Sequence, residues 1–116
     1  MTYFKMNNSI VKSVVALALA SASLSAFSAQ STAPGKITRL LTNWGADQMI
    51  VSTAAPVVNP DGCRMSDGYA TAGDASGRSQ QAFLLTALSA DLPIYVTVQG
   101  CIADRPAILG ISASPN

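Results

Sequence analysis

The sequence predicts a mainly β domain with one helix, a small five-stranded barrel of order β-β-β-α-β-β stapled by a single disulfide. Three observations carry this expectation. Short β-prone runs alternate with clusters of Gly, Pro, Asp and Asn, the punctuation of an all-β chain. One segment in the second half switches to helical spacing. Cys63 and Cys101 are the only cysteines in 116 residues.

The first 28 residues stand apart from the domain. Lys5 and Lys12 are their only charges, and Val14 to Ala20 is an apolar run that passes into small residues up to Ala29. A basic start, a short apolar centre and a small-residue end form the pattern of a secretory signal peptide. Ala26-Phe27-Ser28 meets the small-side-chain rule for a cut before Ala29, while a cut after Ala29 would put bulky Phe27 at the third position. The apolar stretch, diluted by serines, is short against the roughly 20 residues of a spanning helix. The mature chain is therefore expected to be exported, periplasmic or extracellular, without a membrane anchor.

Residues 29–34 read as a disordered lead-in and 35–114 as one domain. Gly35 to Leu41 is β-prone, Asn43-Trp44-Gly45-Ala46-Asp47 is turn material, and Met49 to Thr53 resumes the strand pattern, which predicts a hairpin. Pro56 and Asn59-Pro60-Asp61-Gly62 break it, because Pro cannot donate to a ladder and Asp-Gly suits positive-φ turns. A short strand fits around Tyr69 to Ala72. From Ser79 to Ala90 the period is helical, with Ser76 or Ser79 as cap and Phe83, Leu84, Leu85, Ala87 and Leu88 on a broad apolar face. Pro93 ends it, Ile94 to Gln99 alternates as a strand, and Ala107 to Ala113 supplies the last strand after an Asp104-Arg105-Pro106 turn.

The cysteines form a pair in a small chain bound for an oxidising compartment, so they read as a disulfide. Closing a loop of that length removes about 4 kcal/mol of chain entropy from the unfolded state. A redox centre or metal site has little support, since the spacing is not C-x-x-C and the chain has no His.

Without the leader, five basic residues face six Asp, and neither Glu nor His occurs. No basic patch of the kind that binds nucleic acid is present. The lack of an imidazole removes the usual general base, so no catalytic residue and no cofactor is predicted. Asp61, Asp67 and Asp74 lie among glycines but fit no calcium-loop spacing, so no metal is predicted either. The candidate ligand contacts are Trp44 on the first turn, Tyr95 on the outward face of its strand, and Arg105 as an anion clamp.

The order of elements is that of five-stranded OB-type barrels with a helix between the third and fourth strands. Gly35-Lys36-Ile37-Thr38, Asn59-Pro60-Asp61-Gly62-Cys63, Tyr69, Leu84-Leu85-Thr86-Ala87, Val98-Gln99-Gly100-Cys101 and Arg105-Pro106-Ala107-Ile108 together resemble small, mostly uncharacterised exported bacterial proteins with one disulfide. The arrangement is also similar, more distantly, to the receptor-binding B subunits of pentameric bacterial toxins. That similarity implies a non-enzymatic module whose partner is a glycan or another protein, with oligomers allowed; the alternative is an envelope component that acts through protein contacts alone. The chain departs from a glycan binder in having few aromatics, and no functional residue carries over.

Overall fold

The computed structural model describes residues 28–42 and 45–113. The leader 1–27 and Trp44 lie outside the described residues. Seven elements follow in order: β1 (Gln30–Ser31), β2 (Ile37–Thr42), β3 (Met49–Thr53), β4 (Tyr69–Ala70), α1 (Ala75–Ser89), β5 (Ile94–Ile102) and β6 (Arg105–Ala113). The strands form one open six-stranded sheet in the order β1-β5-β6-β4-β3-β2, in place of the expected five-stranded closed barrel. The extra strand arises in the supposed lead-in. Gln30 and Ser31 pair with Val98 and Thr97, and buried Thr32 exchanges hydrogen bonds with Val96 through its backbone N–H and its hydroxyl. Two polar side chains there find backbone partners that a composition-based reading does not see.

All pairings are antiparallel except β4 with β6, which is parallel at Ala70 and Ala107. The predicted β2–β3 hairpin is present, with Leu40 opposite Val51. β5 and β6 run longer than expected because the turn between them is tighter. Ala103 and Asp104 hold φ values of 52° and 63°, the two-residue left-handed turn whose twist matches a hairpin, so Arg105 and Pro106 already belong to β6. Pro106 lacks an N–H, and its place opposite Cys101 near the hairpin end tolerates that.

α1 begins four residues before the expected start. Asp74 caps it, accepting from the Ser76 N–H, and the predicted serine caps do not take that role. The early start depends on Gly77, whose Cα lies so close to the Ala72 carbonyl that any Cβ would overlap it. This close approach sets which face turns inward. Leu84 and Ala87 are buried, while Leu85 and Leu88, expected in the core, are each 47% exposed.

The core joins Val51, Tyr69, Leu84, Ile94, Val96, Val98 and Ile108, contributed by β3 to β6 and α1. Alternation along β5 buries Ile94, Val96 and Val98 and leaves Tyr95, Thr97 and Gln99 on the other face. Tyr69 lies in the middle, and its hydroxyl accepts from the Val58 N–H, so the ring is buried without an orphaned polar atom.

Candidate functional site

The two ends of the β5–β6 hairpin differ in chemistry. At the turn end, Cys63 and Cys101 form the predicted disulfide with Cα atoms 5.7 Å apart. The loop that carries Cys63 is shaped before the bond is considered: the Asn59 side chain donates to the Cys63 carbonyl and accepts from its N–H. The Asp61 carboxylate accepts from the Gly100 N–H at 2.7 Å, and the Met65 N–H reaches the Asp104 carbonyl.

Arg105, a predicted ligand contact, is committed here. Its guanidinium holds Asp67 through Nε at 2.8 Å and Nη2 at 3.2 Å, and its side chain is only 17% exposed. Arg39 approaches the same carboxylate at 3.5 Å. The hydrogen bonds from Arg105, foremost, hold the Asp67 carboxyl below its ordinary pKa. A bidentate pair of this kind fixes geometry and leaves little of Arg105 free for a ligand.

The other end is apolar and open. β6 contains a bulge: Thr97 pairs with Gly110 and Val98 with Ile108, so Leu109 is left over and turns outward at 58% exposure. Phe83 of α1 stands opposite it at 37% exposure. Two hollows flank Phe83 along the boundary between α1 and β6. One, of about 390 Å³, is lined by Phe83, Thr86, Ala87 and Leu92 with Ser112 and Ala113. The second, of about 290 Å³, lies between Ser76, Gln80 and Phe83 on the helix and Leu109 to Ile111 on β6. No charged side chain lines either hollow.

Gln80 marks where the sheet stops and the slot starts. Its side-chain carbonyl accepts from the Ala72 N–H and its amide donates to the Ile108 carbonyl. The amide thereby takes the position of the next rung after Ala70 and Ala107, and beyond it no described strand pairs with β6 on that side.

Tyr95, another predicted contact, sits half-buried on the outer face of β5, paired with Ser112, which belongs to the larger hollow. The structure therefore brings Tyr95 near the slot and sends Arg105 to the opposite end of the hairpin. Sequence reasoning missed Leu109 and gave Phe83 to the core. Leu109 had no legible signal, since a bulge depends on the partner strand. Among the described residues no cluster of three or more metal-ligating side chains occurs, and no helix is long and apolar enough to cross a membrane. Compared with protein-family models, curated proteins and solved structures, the chain finds no match.

Proposed function

We propose that this chain is a small exported, non-enzymatic binding module whose ligand surface is the slot between α1 and β6. The observation that carries the reading is the exposure of Phe83 and Leu109 across two uncharged hollows, on a domain small enough that leaving such side chains outside the core is costly. Export is supported by the disulfide and by the leader-like residues 1–28.

The same reading takes the fold as OB-like, in line with the resemblance to small exported proteins and, distantly, to toxin B subunits. Three features support it. The outer strands β1 and β2 are consecutive stretches of chain, and the parallel β4–β6 pair lies between the two hairpins. At the crossing between β1 and β2, Gly35 bridges to Ile94 while the Lys36 carbonyl accepts from Ala54. Counted as one long strand, residues 30–42 serve both halves of the sheet.

Of the two ligand classes, the slot suits a polypeptide better than a glycan. It offers one half-buried aromatic ring where sugar stacking wants open platforms, and its walls are mostly aliphatic. Parallel glycan and peptide arrays probed with the purified protein test this. Binding to peptides that is lost in Leu109→Lys supports the reading. Glycan binding indifferent to that substitution overturns it.

A further inference from the structure

We infer that the slot takes an extended, uncharged segment of another polypeptide as an added strand on β6, an inference that rests on the binding-module reading above. The backbone of β6 supplies the first reason. On the side away from β5, Ala107 pairs with Ala70 and the Gln80 amide occupies the Ile108 rung, after which residues 109–113 have no strand partner among the described residues. Unpaired edge groups are a template for an incoming chain. The edge is also accessible: a Cβ built on Gly110 meets nothing within 4 Å.

The walls say what kind of segment fits. Successive side chains of a strand point to opposite sides, so every second residue of an added strand faces one wall. The two hollows lie in line along α1 on either side of Phe83, the arrangement that takes alternate apolar side chains from such a strand. Neither hollow has a charged group to pair with a buried charge, so a charged residue there would lose hydration without compensation.

The occupant is a lone segment for a geometric reason. α1 runs beside the edge, so two copies brought together through β6 would press helix against helix before their strands met. The chain's own ends do not fill the slot either. Its described part leaves β6 at Ala113, at the slot's far end, and β1 lies on the opposite side of β5 from β6.

A blocked hexapeptide of alternating threonine and valine is the probe, titrated into the purified protein and followed by backbone amide and Phe83 ring resonances. Strand addition predicts shifts centred on 109–113 and Phe83, at least a tenfold weaker affinity in Leu109→Lys, and loss of binding when alternate peptide amides are N-methylated. Leu109 is exposed, so its substitution leaves the fold intact. Equal binding of the N-methylated peptide overturns strand addition while leaving the binding module standing. Dimerisation through the same edge, detected by sedimentation and abolished in Leu109→Lys, overturns the lone-segment proposal. Absence of any slot-centred shift overturns it as well, and array binding that maps to another surface would then remove the slot from the module reading.

Discussion

At its turn, the β5–β6 hairpin is tied to the Cys63 loop by a disulfide, a bidentate ion pair and backbone hydrogen bonds to Gly100 and Asp104. At its other end it meets α1 through one deeply buried leucine and one small residue, Leu84 and Ala87, with apolar groups left in the open. The difference teaches how a small domain divides its stabilisation. Loop 54–68 has two strandless turns and little to bury, so specific polar and covalent links hold it. The helix flank has apolar surface to spare and needs no such links.

The largest way to break the comparison lies on the helix side. Leu84→Ala removes a fully buried side chain and is expected to lower unfolding free energy by about 2–5 kcal/mol in urea titrations. A smaller loss would mean that the helix contributes less than its packing implies.

Next comes the covalent link. Replacing Cys63 and Cys101 together by Ser is expected to cost about 2–4 kcal/mol. Because the Asp61, Met65 and Asp67 contacts remain, hydrogen exchange should speed up at 59–67 and 99–105 before it does at β2 and β3. Uniform acceleration through the whole sheet would show that the polar contacts do not hold the loop alone.

The ion pair ranks third. Asp67→Asn should cost about 1 kcal/mol once solvent screening of the half-exposed carboxylate is allowed for. Asp67 is held below the model value of 3.8, chiefly by hydrogen bonds from Arg105; Asp47 is lowered chiefly by Gln81 and then Arg78, and Asp74 by Ser76. Their folded pKa values being depressed, the stability they add is complete above the unfolded value and is lost as pH falls through the folded values. Acid titration should therefore show stability falling below about pH 4, with a shallower fall in Asp67→Asn.

The smallest expected effect sharpens the comparison most. Leu88→Ala should change stability by less than about 0.5 kcal/mol, because Leu88 is nearly half exposed. A loss comparable to that of Leu84→Ala would mean that the helix turns its other face inward.

Much of the architecture was legible in the sequence. Turn clusters separated the strands, alternation picked out Ile94, Val96 and Val98, and the cysteine count gave the disulfide. The helix was legible as a period and illegible as a face, because Phe83, Leu84, Leu85 and Leu88 are apolar nearly all round. The deciding residues are small ones: Gly77, Gln80, Leu84 and Ala87 recur at heptad spacing, and only a close approach to Ala72 reveals that this is the inward stripe. The Arg105–Asp67 pair spans 38 positions and follows from tertiary geometry alone. β1 was hidden for a similar reason, since its two residues are strand only by virtue of β5.

The parallel contact between Ala70 and Ala107 also sets a schedule. β6 is the last strand in the chain but stands third of six in the sheet, between β5 and β4. Until residues 105–113 have emerged from the ribosome or a translocation pore, the β2–β3 hairpin and the β1–β5 pair have no strand to join them. Completion of the sheet therefore waits for nearly all of the described sequence, and its long-range pairings place it among the slower-folding small domains. Such a chain stays threadable until late in its synthesis, and oxidation of Cys63 with Cys101 is timed to follow β5 and precede the arrival of β6.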